Sequence, residues 1–503
     1  MGSLSRMKPG RRNPGRRGHR VLNGARLLSG LVVIATAAVS PAMAAAATAA
    51  PTGYAVTILS TLSPNPDLSA VSNGAGVNDL GWVVGDANYP DYWMSYPPNM
   101  TEHATLWRNG QITDLGTLGG PNSSIGFVAR PNNTGLISGN AQNDRVDPNG
   151  ENWGVNFGCT NDLPCEGQQY EFRGFAWSDG VIRPLPTLGG NNEAAFGGGN
   201  DEEQIVGMSE TAGVDKKGCK PSQVPDPTIN QTITLNQVMH WKPVVWGPSY
   251  GEVHELPVWP GDSVGLASAI NDEGQVVGGS GFCTTPAFPS VEHALLWQNG
   301  RTIDLGSLGG RYDNLATAIN DRGQVVGWSD LPGDTFKVRT LSLSGTTHSF
   351  LWQDGMMTDL GTLPGDGCPA MCSAYAYGIN DAGQVVGQSC DQNGNCQAFL
   401  WQNGTMTDLN TIAHLTTGDS FDLVEAEGIN SQGEIVGNAV DNTTGYFLAF
   451  SALPCDTSST ADEGCSESAH GAVTTAGVAV LSSHIAITPD RSRMRLGSWT
   501  GLP

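Results

Sequence analysis

Two short stretches combine acidic and amide side chains at a spacing that suits a hard cation. Oxygen ligands alternating around a glycine are how protein loops hold calcium, but neither stretch has the twelve-residue EF-hand spacing with its closing glutamate. Each stretch is therefore interpreted as a plain turn, with a structural calcium ion as the alternative prediction, and no other cofactor is expected. The candidate ligands are Asp144, Asp147 and Asn149 in DRVDPNGE, and Asp391, Asn393 and Asn395 in DQNGN.

A third stretch, DANYPDYWMSYPPNMTE, places aromatic rings among three prolines. Flat rings on a stiff backbone offer contact area at a small cost in conformational entropy, which suits a sugar or a protein partner. We predict a binding platform here, and the alternative is a loop that folds over its own sheet with the rings inward. The platform residues are Tyr89, Tyr92, Trp93 and Tyr96, extended by Trp153.

The sequence contains no recognisable catalytic motif. HExxH and a P-loop are absent from it. His103, His293 and His348 stand at one position of a repeated unit, but they belong to different copies and cannot form a compact triad. We expect each to make a hydrogen bond inside its own copy.

The N-terminus predicts export. Eight Lys/Arg and no acid precede Ala50, followed by an apolar run from Leu27 to Val39 and then by small residues. This order is typical of a secretory signal, here residues 1–48, and an uncleaved membrane anchor is the alternative. We therefore predict a secreted, extracellular or periplasmic protein with no membrane span in the mature chain.

Removal of the leader makes the chain strongly acidic. Formal net charge is −23 for the whole sequence, and 17 Lys/Arg against 48 Asp/Glu would remain, about −31. Such a surface repels phosphate, so no nucleic-acid partner is expected. The charge serves solubility or, alternatively, attracts cations or basic partners.

Ten cysteines on an exported chain indicate disulfides. Four close pairs stand out, and Cys219 with Cys283 remains as a fifth whose connectivity is left open. A zinc site is disfavoured, since the CxxxC has no second pair or histidine cluster. The close pairs are Cys159 with Cys165, Cys368 with Cys372, Cys390 with Cys396, and Cys455 with Cys465.

Seven copies of a two-hairpin unit fill the chain from about residue 49 to 453. In each, an apolar strand enters an NDxG-like turn and a QVVG-like strand leaves it, after which an FLW-like strand and a TDLG-like strand flank an Asn-Gly turn. A period of this length predicts a propeller or a solenoid. The copies are marked by Gly85, Gly139, Gly207, Gly278, Gly327, Gly387 and Gly437, and by Trp107, Trp177, Trp246, Trp297, Trp352, Trp401 and Phe450.

The seventh copy lacks a fourth strand, and Tyr54 to Pro64 supplies a matching one at the other end of the domain. This complement predicts an all-β fold, a seven-bladed β-propeller closed by its N-terminal strand, because closure leaves the last blade with no missing strand. An open β-solenoid is the alternative. Residues 454–503 do not fit the repeat and are predicted to form a loosely ordered tail, and a monomer is expected.

The Asn-Asp pairs, as in AINDRGQVVGWSD from Ala318, could supply metal ligands or form turns. The glycine after each pair can take the positive φ that such a turn requires, and short Asn and Asp side chains satisfy turn backbone. We therefore interpret the pairs as turns that seven blades hold apart.

The strings INDxGQVVG, HAFLW-like and DLGTLGG resemble those of the extracellular HAF-repeat family, named for a string that appears here as HAT, HAL and HSF. The resemblance covers about 400 residues, although PNNTGLISG and NDEEQIVG depart from it in the second and third copies. It implies export and a repeat scaffold, and it supplies no reaction and no catalytic residue.

Connections between the first two and the last two strands of each copy are tight, whereas the others vary widely in length. Variable loops on a rigid frame are where function gathers. The sequence thus favours a binding or scaffold protein whose extracellular glycan or protein ligand contacts the variable loops. The alternative is a carbohydrate-active hydrolase or lyase with carboxylates at the central channel.

Overall fold

The computed structural model describes residues 53–62, 71–88, 102–126, 129–151, 170–214, 222–226, 231–235, 239–248, 250–285, 288–333, 346–364, 372–415, 420–455 and 465. The chain divides into two units, Met1–Ala47 and Thr48–Pro503, and all described residues belong to the second. The predicted signal peptide and nearly all of the predicted tail therefore lie outside the described residues. Among the described residues, no helix is long and apolar enough to cross a membrane.

The described unit is a seven-bladed β-propeller, as predicted. After β1 (Tyr54–Ile58), six blades follow in chain order, each an antiparallel sheet whose four main strands appear in sequence order from the axis outwards. Blade 1 contains β2 (Ser72–Val77), β3 (Val83–Asn88), β4 (Glu102–Arg108) and β5 (Gln111–Asp114). Blade 2 contains β6 (Gly119–Ser124), β7 (Ile137–Val146), β8 (Tyr170–Ser178) and β9 (Val181–Pro184).

Blade 3 carries an extra hairpin between its second and third strands. Its own sheet contains β10 (Gly189–Gly199), β11 (Ile205–Val214), β14 (Met239–Trp246) and β15 (Val253–Glu255). The hairpin pairs β12 (Ser222–Asp226) with β13 (Gln231–Leu235).

Blades 4 to 6 repeat the plain four-stranded sheet. Blade 4 contains β16 (Val264–Ile270), β17 (Val276–Thr285), β18 (Phe288–Gln298) and β19 (Arg301–Asp304). Blade 5 contains β20 (Asn314–Ile319), β21 (Val325–Asp330), β22 (Thr347–Gln353) and β23 (Met356–Gly361). Blade 6 contains β24 (Ser373–Ile379), β25 (Val385–Cys390), β26 (Cys396–Gln402) and β27 (Thr405–Asp408), followed by a short 3-10 helix, Leu409–Thr411.

Blade 7 closes the ring with strands from both ends of the domain. It contains β29 (Phe421–Ile429), β30 (Ile435–Asp441), β31 (Phe447–Pro454) and the N-terminal β1 as its fourth strand. Strands β1 and β31 pair antiparallel from Tyr54 opposite Pro454 to Ile58 opposite Phe450. Innermost strand β2 of blade 1 packs against β29, β30 and β31. The predicted closed ring is therefore confirmed, and the open solenoid is wrong.

Two details of blade 7 differ from the prediction. A fifth strand, β28 (Ala413–Leu415), pairs in parallel with β1 and covers its outer edge. Phe450 is not the counterpart of the repeated tryptophan: it lies opposite Gly437, as Phe399 lies opposite Gly387. The tryptophan position is occupied by Ala452, which lies opposite Ile435, and β31 continues beyond it to Pro454.

The tight turns follow the expected backbone chemistry. Both residues of the Asn-Gly or Asp-Gly turns have positive φ, for example 54° at Asn109 and 70° at Gly110, as a two-residue hairpin of this type requires. The NDxG glycines also have positive φ, as at Gly323, and Glu203 takes that conformation in blade 3. We call the face with these turns the turn face, and the opposite one the loop face.

The glycine that marks each copy lies inside the second strand, not at its end, and permits a close approach of two backbones. A Cβ on Gly327 would lie 2.0 Å from the carbonyl oxygen of Leu315 on the inner strand, beside a β-bulge between Ala316 and Ala318. All seven marker glycines meet such a carbonyl, at 1.8 to 2.5 Å. The repeated glycine is therefore a steric requirement of the blade.

The repeated tryptophans lie in the hydrophobic core or pack against it, as predicted, and three of them also hydrogen-bond to the neighbouring blade. Nε1 of Trp246 in blade 3 donates to the carbonyl of Pro186 at 2.8 Å, just beyond the outer strand of blade 2. Trp297 donates in the same way to Pro257 at 2.8 Å. Trp107 donates to Ser60 at 2.7 Å, so the segment after β1 performs for blade 7 the task of an ordinary outer strand.

Replacing a marker glycine should destabilise the protein through a backbone clash. We expect Gly327→Ala to lower the free energy of unfolding by about 3 kcal/mol, because the added methyl must displace the Leu315 carbonyl. Thermal or urea unfolding measures this change. Gly213→Ala is the matched control: its Cβ would meet only Thr211 Oγ1, at 3.4 Å, and it should change stability by less than about 0.5 kcal/mol.

Candidate functional site

The turns that contain the Asn-Asp pairs are not held apart, contrary to the expectation from sequence. They meet around the propeller axis on the turn face, where the Asn of each blade donates its Nδ2–H to the backbone carbonyl of the Asn of the next blade. The seven bonds, each 2.9 or 3.0 Å, form a closed ring: Asn78 to Asn132, Asn132 to Asn200, Asn200 to Asn271, Asn271 to Asn320, Asn320 to Asn380, Asn380 to Asn430, and Asn430 to Asn78. We call this ring the asparagine belt.

Each belt residue also organises its own turn. Oδ1 of Asn320 accepts hydrogen bonds from the backbone N–H of Arg322 and Gln324, and Nδ2 donates to Gln324 Oε1 as well as to the next blade. All seven belt side chains are at most 5% exposed. The repeated Asn is therefore a buried, saturated connector between blades.

The residue after each belt Asn forms a second, outer ring. In five blades its side-chain oxygen accepts the backbone N–H of the preceding blade's equivalent residue, as Asp321 Oδ1 does from Asp272 at 3.0 Å. The acceptors are Asn133, Asp201, Asp272, Asp321 and Asp381, and Asp79 closes the sequence by accepting from Ser431. Ser431 replaces the acid in blade 7, and no bond from Asp381 N to it is present among the described residues.

This outer ring gives the turn-face mouth of the central channel an acidic rim. The rim encloses about 610 Å³ of space, including the open solvent of the mouth. Burial raises the pKa of Asp272, and the carboxylates of Asp201 and Asp321 add to the rise, although Arg130 and a hydrogen bond from Asp201 act against it. Among the described residues no group of three or more His, Cys, Asp or Glu could hold a metal.

Two acids and a tyrosine lie close together between blades 6 and 7, and of these Tyr377 and Glu427 line the deeper part of the channel. Glu425 and Glu427 lie two residues apart on β29. The charges of both glutamates act on the Tyr377 hydroxyl, which lies on β24, and raise its pKa. Tyr377 accepts from Gln388 Nε2 at 2.5 Å, and Glu425 Oε2 accepts from Asn438 Nδ2 at 3.2 Å. The Glu425 side chain is buried, with 3% of its residue surface exposed.

Burial perturbs the protonation of this cluster. It raises the pKa of Glu425 to about 7, although hydrogen bonds with Asn438 and Tyr377 act in the opposite direction. Burial also raises the pKa of Tyr377 well above its usual value, and the two glutamates add to that effect. The cluster can therefore hold a proton close to neutral pH.

Sequence reasoning missed this cluster, although a signal was present. Three residues before the belt Asn, the inner strands carry small side chains in most blades, such as Ala75 and Gly197, but Tyr377 and Glu427 in blades 6 and 7. A large polar side chain at a repeat position where most blades have a small one indicates that the residue does more than maintain the scaffold.

The predicted aromatic platform lies outside the described residues, and its role stays a prediction. This applies to Tyr89, Tyr92, Trp93 and Tyr96, and to Trp153.

The predicted calcium ligands are engaged in turn hydrogen bonds. Asp391 accepts from the backbone N–H and the Nδ2–H of both Asn393 and Asn395, at 2.7 to 3.2 Å. Asp147 accepts from Asn149 N and from Asn192 Nδ2, at 2.7 Å each.

These bonds show how the two stretches are satisfied as turns. Burial tends to raise the pKa of Asp391, but its four hydrogen bonds outweigh burial and lower it. Asp144 belongs to β7 and lies beside Gly119 of the same blade. Calcium binding at either stretch stays a prediction.

The cysteine prediction is confirmed for two pairs. Cys390–Cys396 and Cys455–Cys465 are disulfides. Cys283 and Cys372 are also disulfide-bonded, and their predicted partners Cys219 and Cys368 lie outside the described residues, as do Cys159 and Cys165. No described cysteine is free.

The three histidines hydrogen-bond as expected, and they do not converge. His103 Nδ1 lies 2.9 Å from Asp114, and His348 Nδ1 lies 2.9 Å from Asp359, in each case across the third and fourth strands of one blade. His293 contacts Asp262 at 3.0 Å instead. In blades 1 and 5 the His of the HAF-like string thus forms a hydrogen bond with the Asp of the TDLG-like string.

Comparisons with known proteins found solved structures of β-propellers but no family to which the chain can be assigned. No protein-family model and no curated protein matches the chain, so membership of the HAF-repeat family stays a prediction. The β-propeller domain of the Trilobed protease from Pyrococcus furiosus matches with a TM-score of 0.40 and 9% identity, over 76% of this chain and 95% of that one.

Two further solved structures come from other enzyme classes. Trypanosoma rangeli sialidase matches with a TM-score of 0.33 and 8% identity, over 76% of this chain and 54% of that one. A gluconolactonase from Xanthomonas campestris matches with a TM-score of 0.28 and 13% identity, over 56% and 79%. At these values the comparisons transfer no activity to this chain.

Neighbouring residues of one turn should respond oppositely to substitution. Asn271→Ala should lower the free energy of unfolding by about 3 kcal/mol, since it leaves the Asn320 carbonyl and Gln275 without their buried partner. Asp272→Asn keeps the acceptor for Asp201 N and removes repulsion, as Asn133 does naturally in blade 2, and should raise the melting temperature slightly. Equal losses in both variants would contradict the assigned roles.

Stability should depend on pH through Glu425. The folded state binds this proton more tightly than the unfolded state, whose pKa is near 4.5, so the stability contribution is complete below that pH and is lost as pH rises through about 7. Relative to wild type, Glu425→Gln should therefore gain stability between pH 5 and 8, by an amount on the order of 3 kcal/mol. Urea unfolding of both proteins across this range measures the difference, and parallel curves would contradict the prediction.

Proposed function

We propose that this protein is an extracellular binding or scaffold protein that presents its loop face to a glycan or protein ligand. The propeller acts as a rigid frame, and the connections between the second and third strands and between blades carry the specificity. The proposed ligand contacts include Tyr92 and Trp93 in the first of these connections.

One observation carries this proposal: the repeated side chains of the turn face are engaged in holding the ring together. The belt asparagines and the glutamines that follow them bond within and between turns, as Asn320 does with Gln324 and Asn380. Side chains engaged in this way are unavailable to a ligand. The loop face, in contrast, carries the connections that depart from the repeat.

The disulfides support an extracellular setting and ordered loops. Cys390–Cys396 closes a connection of blade 6 on the loop face, and Cys283 and Cys372 are bonded there too. Short covalent loops of this kind persist in oxidising compartments. Export by a signal peptide and the monomeric state are part of the same proposal.

Binding is proposed ahead of the carbohydrate-active hydrolase or lyase. Hydrolysis of a glycosidic bond generally uses two carboxylates that flank it. Among the described residues that line the channel, Glu427 is the one carboxylate inside, while the acids of the rim accept backbone hydrogen bonds. No observation favours the hydrolase over binding.

A glycan array tests the proposal directly. The secreted wild-type protein should give defined signals, and the Tyr92→Ala, Trp93→Ala double variant should reduce them about tenfold or more, because stacking area is lost. Met356→Ala is the matched control, since this side chain is 72% exposed on the turn face. A parallel pull-down with the same three proteins covers a protein ligand.

The outcomes separate clearly. Loss in the double variant with unchanged signals for Met356→Ala supports the loop face. Equal binding by the double variant removes the aromatic platform, and equal loss in both variants would place the contact elsewhere.

A further inference from the structure

Asn-Gly dipeptides recur along the propeller, and the structure divides them into two groups. Asparagine before glycine is prone to lose its side-chain amide, because the backbone nitrogen of the glycine can attack Cγ of the asparagine and glycine has no Cβ in the way. In a folded protein the reaction also depends on whether hydrogen bonds hold the two reacting groups. The described asparagines of this kind are Asn73, Asn109, Asn149, Asn299, Asn393 and Asn403.

Three of them, Asn109, Asn299 and Asn403, form exposed turns between the third and fourth strands of their blades, on the turn face. Their φ angles are 54°, 52° and 53°, as a two-residue hairpin turn requires. The hydrogen bond that closes such a turn joins the residues on either side of it, so the glycine N–H takes no part in it. Among the described residues, neither these side-chain amides nor the following glycine N–H groups make a hydrogen bond. Both reacting groups are therefore available.

The other three dipeptides are held at both reacting groups. The side-chain amide is hydrogen-bonded to a carboxyl group in each: Asn393 to Asp391 at 3.2 Å, Asn149 to Glu151 at 3.1 Å, and Asn73 to Asp86. The glycine N–H is bonded as well: Gly394 to the Asp391 carbonyl at 3.0 Å, Gly150 to the Asp147 carbonyl at 3.2 Å, and Gly74 to Asn438 Oδ1 at 3.0 Å. These bonds must break before the nitrogen can reach Cγ.

We propose that Asn109, Asn299 and Asn403 are sites of spontaneous deamidation in the folded protein, and that the other three asparagines are protected. The glycine nitrogen gives its proton to solvent and forms a bond to Cγ, while the bond from Cγ to Nδ2 breaks and ammonia leaves with a proton from water. Water then opens the resulting succinimide ring at one of its two carbonyl groups. One water is consumed and one ammonia is released, and no oxidant or cofactor is needed.

The two products of ring opening differ in how they fit the turn. Blades 2 and 5 already carry Asp179-Gly180 and Asp354-Gly355 at the same position, and both aspartates have a φ of 52°. Aspartate can therefore replace asparagine without a change of fold. Isoaspartate adds a carbon atom to the backbone, which disturbs a two-residue turn and loosens the pairing of the third and fourth strands. Either product adds a negative charge to a chain whose formal net charge is already −23.

Peptide mapping by mass spectrometry tests the proposal on the full chain. The folded protein is incubated in mildly alkaline buffer made with heavy-oxygen water, which labels every site that reacts during the incubation. The three turn sites should gain the label about tenfold or more faster than the three protected sites, because the protected ones must first break hydrogen bonds. Incubation in urea with a reductant is the control: it removes these bonds, and all six sites should then react at similar rates.

A variant tests the fit of the aspartate product. Asn403→Asp should melt at the wild-type temperature, because Asp354 occupies the same turn position in blade 5 with nearly the same φ. A lower melting temperature would contradict this fit.

Either of two results in the folded protein would overturn the proposal: no label at the three turn sites, or equal rates at the turn sites and the protected sites. The proposed function concerns the loop face and does not depend on these turns, so the two proposals stand or fall separately.

Discussion

The asparagine belt is the interaction on which the rest of the architecture depends. Each blade buries little by itself, and it is held in the ring by what it shares with its neighbours. Seven buried amide-to-carbonyl bonds close a circle around the axis, and the last, from Asn430 to Asn78, joins residues from the two ends of the domain. Because the ring closes, the belt bonds are all made only when every blade is in place.

The closing strand extends the same principle to the outer edge. Strand β1 pairs with β31, and the segment that follows it receives Trp107 Nε1 on Ser60, as ordinary outer strands receive Trp246 and Trp297. The asparagine belt around the axis and the tryptophan hydrogen bonds at the outer edge together hold the blades in the ring. The repeated residues of the frame are therefore used to stabilise it. The loop-face connections depart from the repeat, and it is there that we propose recognition to occur.

The acidic rim shows why one motif can look like a metal site and serve another purpose. Asp272 and its equivalents do come together around an axis, as metal ligands would. Their oxygens, however, accept backbone N–H groups of the neighbouring turn, and the remaining charge repels rather than chelates. A carboxylate with a fixed donor a hydrogen bond away needs no cation, and the amide of Asn133 performs the same task in blade 2.

The blade count, the two turn types and the tryptophan core could be predicted from the sequence, because each depends on short-range spacing that recurs from copy to copy. The circular closure could be predicted too, because the fourth strand that the seventh copy lacks is present near the N-terminus. Gly327 could be recognised as invariant in position, but the Leu315 carbonyl that forbids a Cβ there is set by a β-bulge between strands. The convergence of the turns, the register of Phe450, and the meeting of Tyr377 with Glu425 were decided by tertiary structure alone. They depend on how blades are placed around a common axis, and residues of different blades become neighbours only when the ring is closed.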